Sequence, residues 1–231
     1  MFKISAFSFD MYRTIFDTRD FHEQAVKEIL IREKSTSVNP NEFHTRWDKL
    51  YDEVHAEMAP VKFLREREVA VESLKRLFKE FGINGDAEVG VSIWLDKYEK
   101  GDLYPEVEEV LNKLSENFPI IIISNVDNDD LGFSIVKNKK LPLKAILTSE
   151  SYQSYKPHRR MFQEAVSILK CKPEEILHVG DSQSADVVGA RRAGFQAAWL
   201  NRRGDKLKPG IPKPDFVIAD LRELLNIIDS L

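Results

Sequence analysis

Cysteine is almost missing from this chain: Cys171 is the only one among 231 residues. A single thiol excludes an internal disulfide and any multi-cysteine zinc site. It points to a reducing compartment, with Cys171 an inert core or near-surface thiol. Long apolar runs are missing as well. No stretch approaches the ~18 apolar residues of a membrane span, and Lys3, Ser5 and Ser8 interrupt the first residues where a signal peptide would need an unbroken apolar section. A cytoplasmic protein with no membrane partner is the expectation. Positive charge is not in excess: 34 Lys and Arg stand against 38 Asp and Glu, for a net charge of −4. That balance argues against a general nucleic-acid binder but leaves room for a local basic pocket for a small anion. Internal repeats and low-complexity tracts are lacking, and so are G-x-x-x-x-G-K and G-x-S-x-G, the signatures of a nucleotide P-loop and a serine hydrolase.

What is present is a chain 42% hydrophobic and 31% charged, enough for one full core or for a core with a smaller inserted domain. Ile4, Ala6, Phe7 and Phe9 form a short apolar run that stops at Asp10. A run apolar on both faces reads as a strand inside a covered sheet. Ligands of open α/β sheets bind beyond the carboxyl ends of the strands, so Asp10 is placed at a ligand crevice. Taken alone, Asp10 reads equally well as a helix N-cap.

From Phe21 to about Gly101 the pattern is helical. Phe21, Ala25, Ile29 and Leu30 mark a first helix, broken by Ser35 to Asn41. A second starts at Asn39–Asn41 and carries Phe43, Trp47, Leu50, Tyr51 and Val54. A third runs from about Phe63 to Phe81, stopped by Gly82, and a fourth from Asp86 to Lys100. No strand signal interrupts this block.

After Pro105 strands and helices alternate. Helix 106–116 leads to the strand Ile120–Ile123 with Ser124-Asn125 after it, and a helix through Phe133 and Val136 leads to Ala145–Leu147. Helix 159–169 leads to Ile176–Val179 and Gly180-Asp181. Helix 185–193 leads to Phe195–Leu200, and the strand Phe216–Ile218 precedes a last helix, 221–231. Such alternation predicts an α/β fold, a Rossmann-like parallel sheet covered by helices on both faces. Residues 1–17 and 102–231 then form one core, split by an inserted α-helical bundle, residues 18–101.

Three strand ends carry the polar groups that matter: Asp10 with Thr14, Ser124-Asn125, and Asp181 with Asp186. Tyr155-Lys156-Pro157 lies between the second and third. If these strands are neighbours, carboxylates, a hydroxyl and an ammonium surround one cleft. Clustered carboxylates repel and call for a cation. Oxygen ligands without His or Cys suit Mg²⁺, which keeps several waters and a substrate phosphate. The five histidines (22, 44, 55, 158 and 178) show no metal-ligand spacing and read as core or surface residues. Arg202 to Lys213, basic and rich in Gly and Pro, reads as a solvated loop.

On these residues the chain resembles the haloacid dehalogenase superfamily over nearly its whole length. Phe9-Asp10-Met11-Tyr12-Arg13-Thr14-Ile15 is similar to its first motif, D-x-x-x-T after an apolar strand. Ile121-Ile122-Ile123-Ser124-Asn125 is similar to the second, Lys156-Pro157 to the third, and His178-Val179-Gly180-Asp181 with Asp186 to the fourth. The helical block sits where that superfamily inserts an α-helical cap. The resemblance implies that Asp10 is a nucleophile forming a covalent aspartyl intermediate. Thr14 and Ser124 would hold the transferred group or Asp10, and Lys156 would stabilise developing negative charge. It also implies Mg²⁺ held by Asp10, the Tyr12 carbonyl and Asp181, with Asp186 as ligand or supporting partner, and Asn125 orienting substrate or loop.

The chain departs from the pattern at Tyr12, where the superfamily's phosphatases carry a second Asp as acid and base. A phenol of pKa ~10 is a poor base near neutrality. The superfamily's 2-haloacid dehalogenases carry Tyr there, and Asn125 fits them too. Arg46 is then a counterpart of their carboxylate-binding arginine, or a solvated helix-face charge. Gly180-Asp181 and Asp186 instead match the metal-binding version. The leading expectation is a Mg²⁺-dependent phosphatase of a small phosphorylated metabolite. The alternatives are an (S)-2-haloacid dehalogenase and a weakly active or inactive member that binds a ligand or partner. Arg13, where a small residue is usual, binds an anion at the cleft or points to solvent. The expected partner is a small anionic substrate, a phosphate ester or a 2-haloacid, and the protein a monomer or homodimer.

Overall fold

A computed structural model of the protein describes residues 3–58, 62–98, 100–129 and 140–230. The helix expected through Phe133 and Val136 lies outside the described residues. Contacts gather the described residues into two compact units. One holds the residues up to Asp17, 102–128 and 140–230; the other holds those of 18–101 together with Asp129.

In the first unit a parallel six-stranded sheet is built from β1 (Ala6–Phe9), β4 (Ile120–Ser124), β5 (Ala145–Thr148), β6 (Ile176–Gly180), β7 (Gln196–Leu200) and β8 (Phe216–Ile218). Its order is β5-β4-β1-β6-β7-β8, and every neighbouring pair is parallel. This is the expected Rossmann-like α/β fold, and its physical basis is legible along each strand. Successive side chains point to opposite faces, so an uninterrupted apolar run fills two cores at once. Phe7, Phe9, Ile120, Ile122, Leu177 and Val179 enter one core, with α5 (Val107–Ser115) and Leu224 of α9 (Glu223–Asp229). Ala6, Ile121, Ile123, Ile176 and Trp199 enter the other, with Met161, Phe162 and Ala165 of α7 (Arg159–Leu169).

Two features escaped the sequence pattern. β2 (Phe16–Asp17) and β3 (Asp102–Leu103) pair antiparallel where the chain leaves and re-enters this core. Two-residue ladders have no periodicity to read. The helix expected over 185–193 is two pieces, a π-helical turn, Gln183–Val187, running directly into α8 (Val188–Ala193). Such turns recur at functional sites because they re-aim a side chain.

The second unit consists of α1 (Phe21–Arg32), α2 (Pro40–Met58), α3 (Glu66–Glu80) and α4 (Ala87–Tyr98), with no strand among its described residues. Val26, Ile29, Phe43, Trp47, Leu50, Leu74, Leu77, Phe78 and Val91 form its core. α6 (Ser149–Tyr152) is a single turn after β5, capped by the Thr148 hydroxyl.

Ile122 sits fully buried on a central strand. Ile122→Ala should therefore lower unfolding free energy by about 2–5 kcal/mol in chemical denaturation.

Candidate active site

The sheet order brings together what the sequence separates. β1 lies between β4 and β6, so the turns after Phe9, Ser124 and Gly180 meet at the carboxyl ends of these parallel strands. Asp10 leaves β1 with its N–H still given to the Val179 carbonyl at 2.9 Å, which anchors the carboxylate to the neighbouring strand. The chain then closes a tight loop. The N–H groups of Ile15 and Phe16 both donate to the Met11 carbonyl, and Arg13 adopts φ 63°, a left-handed conformation uncommon for a residue with a side chain. That turn carries Thr14 back toward Asp10, and its hydroxyl donates to Asp10 Oδ2 at 3.1 Å. The Ser124 hydroxyl reaches Asp10 Oδ1 at 3.5 Å from the end of β4.

Lys156 is the centre of the cluster. Its ammonium, 5% exposed as a residue, donates to Asp10 Oδ1 at 2.6 Å and to Asp186 Oδ1 at 2.7 Å. Asn125 fixes the Lys156 backbone from both sides: its Oδ1 accepts from the Lys156 N–H at 2.7 Å, and its Nδ2 donates to the Lys156 carbonyl at 3.4 Å. Asn125 thus bonds both backbone groups of Lys156.

Asp186 is held by more partners than the sequence indicated. The Ser182 N–H donates to Oδ2 at 2.9 Å, and His178 Nε2 donates to Oδ1 at 3.2 Å. With that proton on Nε2, His178 Nδ1 accepts from the Ser8 hydroxyl at 2.9 Å. Gly180 makes this possible, because a Cβ there would lie 2.3 Å from the Asp186 carboxyl carbon. His178 and Ser8 escaped the sequence reading, since a polar residue inside an apolar strand gives no sign of its partner. The alternation of β6 does place His178 on one face with Ile176, and that was the available signal.

Asp181 is a quarter exposed. Its Oδ2 lies 3.5 Å from Arg13 Nε, and the Trp199 indole donates to its carbonyl at 3.0 Å. Tyr12 sets its ring edge-on to Phe16, at 6.1 Å between centroids. Arg202 corrects the expectation of a fully solvated loop. Its guanidinium stacks 3.8 Å over the Tyr104 ring, pairs with Glu106 at 2.6 Å and donates to the Thr14 carbonyl at 3.2 Å, bracing the Asp10 loop from behind. Residues 203–210 beyond it are exposed, as expected. Arg46, on α2 in the other unit, is bound to Glu53 and Glu80 of that unit, at 2.8 and 2.7 Å.

The electrostatics follow from crowding. One carboxylate oxygen from each of Asp10, Asp181 and Asp186 lies within 4.8 Å of the others. Lys156 is the buried cation among them, and Arg13 reaches only Asp181. Burial raises the Asp10 pKa above the usual carboxylate range, with Lys156 opposing and Asp186 adding to it. Burial, then the charges of Asp10 and Asp186, push Asp181 up to about 7. Asp186 goes the other way: burial opposes its charge, but Lys156 and the His178 hydrogen bond hold it well below the usual range. Lys156 is desolvated, yet Asp10 and Asp186 outweigh that and raise its pKa. An all-oxygen cluster with more negative than positive charge fits a hard divalent cation such as Mg²⁺.

A six-stranded parallel sheet with a carboxylate, an ammonium and two further carboxylates gathered at the carboxyl ends of its inner strands places the protein among Rossmann-like α/β folds. More narrowly, it belongs to the haloacid dehalogenase-like hydrolase family, whose sequence profile matches residues 8–200. Over 139 residues the chain is 29% identical to (S)-2-haloacid dehalogenase 4A of Burkholderia cepacia, a match that takes in 59% of this chain and 57% of that relative. Over 167 residues it is 28% identical to the pyrophosphatase PpaX of Bacillus thuringiensis (strain Al Hakam), covering 71% of this chain and 72% of that one. Among solved structures, the magnesium-bound HAD-hydrolase YfnB of Bacillus subtilis matches with a TM-score of 0.78 over 98% of this chain and 99% of that chain. At 22% identity, that likeness concerns the fold.

Two outcomes follow from the charge balance. Lys156→Met leaves Asp10 and Asp186 buried without their cation and should cost about 3–5 kcal/mol in denaturant unfolding. Asp181 binds its proton more tightly folded, with a pKa of about 7, than at its ordinary 3.8. Its contribution is intact below the ordinary value and is lost as pH rises through the folded one. The metal-free protein should lose melting temperature between about pH 4 and 7, and Asp181→Asn should flatten that slope.

Proposed function

We propose that this hydrolase is a Mg²⁺-dependent phosphatase of a small phosphorylated metabolite, with Asp10 as its nucleophile. The observation that carries the reading is the convergence of Asp10, Asp181 and Asp186 within 4.8 Å around one buried ammonium. A dehalogenase attacking a neutral carbon–halogen bond has no need of Asp181, a further carboxylate whose charge disfavours the ionised form of Asp10.

An Asp10 carboxylate oxygen attacks the phosphorus, an aspartyl phosphate forms as the ester P–O bond breaks, and the leaving oxygen takes a proton from solvent water. Water then attacks the aspartyl phosphorus, gives its proton to solvent, and inorganic phosphate and free Asp10 are released. Thr14 holds Oδ2 so that the attacking oxygen keeps one orientation, and Ser124 and Lys156 lie beside Oδ1 to receive phosphoryl charge. Asp10, the Tyr12 carbonyl and Asp181 would hold Mg²⁺, with Asp186 at its margin. When bound, the metal supplies charge shielding between Asp10 and an anionic substrate, and polarises the phosphoryl group. Asn125 keeps Lys156 in place, and Arg13, 42% exposed beside Asp181, is positioned to meet an anion. Arg46 answers Glu53 and Glu80 and is assigned a structural role. The helical unit, as an insertion, is assigned substrate selection. The protein would act in the cytoplasm, as a monomer or homodimer.

A second reading, an (S)-2-haloacid dehalogenase, is favoured by Tyr12, whose ring packs on Phe16 where a phosphatase needs an acid and base, and by the Burkholderia cepacia relative. A panel of phosphate monoesters with and without Mg²⁺, run beside halide release from 2-chloropropionate in chelator, separates the two. We expect phosphate release that requires Mg²⁺ and disappears with chelator. Asp10→Asn should abolish turnover with a melting temperature near wild type. Halide release in chelator, without phosphate release, would replace this reading by the second, and turnover retained in Asp10→Asn would remove Asp10 as nucleophile.

A further inference from the structure

The helical unit contains a second group of metal-type side chains, independent of the acidic cluster. His22 lies in the first turn of α1, and His44 and Asp48 lie one turn apart on α2. Residues four apart share a helix face, so the packing of α1 on α2 adds the third side chain to a pair already aligned. His22 Nδ1 is 3.2 Å from Asp48 Oδ1, and His44 Nε2 is 3.4 Å from Asp48 Oδ2. One donor atom from each residue lies within 4.8 Å of the other two. Donors that share a tetrahedral ion at ~2.0–2.2 Å stand about 3.3 Å apart, close to the separation of each histidine nitrogen from its nearer Asp48 oxygen.

The surroundings of His22 add a separate observation. Its ring packs against Trp47 and Trp94, at 4.7 and 5.6 Å between centroids, and its Nε2 is buried with no hydrogen-bond partner. If Nδ1 carried the proton and gave it to Asp48, Nε2 would keep a bare lone pair among indole rings. If Nε2 carries the proton, an N–H meets aromatic faces, a tolerated weak contact, and Nδ1 turns a lone pair toward the Asp48 carboxylate. In that tautomer two electron-rich groups stand 3.2 Å apart, and a cation between them satisfies both. Asp48 is 58% exposed and His44 30%, so an ion has access from solvent.

We propose that His22, His44 and Asp48 form a binding site for a borderline-soft divalent cation of the zinc class. Two imidazole nitrogens and one carboxylate oxygen select such an ion over Mg²⁺, which prefers oxygen donors. Three protein ligands leave further positions to water, and the ion ties the start of α1 to α2. The sequence conceals the site because His22 stands far from the His44/Asp48 pair along the chain and joins it only through helix packing.

Equilibrium dialysis against Zn²⁺ in excess Mg²⁺, with bound metal counted by elemental analysis, tests this. Wild type and Asp181→Asn should each retain one zinc. His44→Gln and Asp48→Asn, both at solvent-facing positions, should bind it at least about tenfold more weakly. In wild type, nitrogen-detected NMR should show the ring signals of His22 and His44 shifting together at one equivalent, a readout that depends on no variant. Zinc affinity unchanged in His44→Gln, zinc lost in Asp181→Asn but kept in Asp48→Asn, or still histidine signals on zinc addition would each overturn the proposal.

Discussion

One ammonium shared between two carboxylates is the constraint on which the active site depends. Lys156 donates to Asp10 and Asp186 from a position almost sealed from water. Burying three such charges is tolerable only with close geometry and further hydrogen bonds, and the surrounding structure supplies both. Asn125 fixes the Lys156 backbone, Ser182 and His178 satisfy Asp186, and Thr14 satisfies the outer oxygen of Asp10. Burial, then the charges of Asp10 and Asp186, raise the Asp181 pKa to about 7, and Arg13 and Lys156 offset only part of that.

Holding Asp10 in this cluster requires a backbone that turns within four residues, and the supports of that turn come from distant parts of the chain. Arg13 takes a left-handed conformation. Arg202, from beyond β7, reaches the Thr14 carbonyl while Glu106 and the face of Tyr104 hold its guanidinium. Gly180 leaves the space that the Asp186 carboxylate fills. The π-helical turn over Gln183–Val187 places Asp186 beneath the strand end and leads into α8.

Much of this was legible along the chain. Apolar runs such as Ile120–Ile123 announce buried parallel strands because both faces of the sheet are covered. Polar residues that end those runs announce the ligand side, as Asp10, Ser124 and Asp181 do, with Thr14 and Asp186 a few residues on; Lys156 stands in the Tyr155-Lys156-Pro157 segment between strands. The features that escaped have no local pattern. The β2–β3 pair is two residues long. His178 looks like any polar residue in a strand, and Arg202 like any charge in a Gly- and Pro-rich loop.

By itself, the sequence determined the α/β class, the order along the chain of the six strands of the main sheet, and which side chains end them, since each follows from periodicity and from where apolar runs stop. Only the tertiary structure decided that Lys156 bridges Asp10 and Asp186, that Asn125 serves Lys156, and that His22 meets His44 and Asp48. Those are contacts between residues far apart in the chain. They arise from strand order and helix packing, in which hydrophobic burial is non-directional and a local stretch of sequence carries no record of its eventual neighbour.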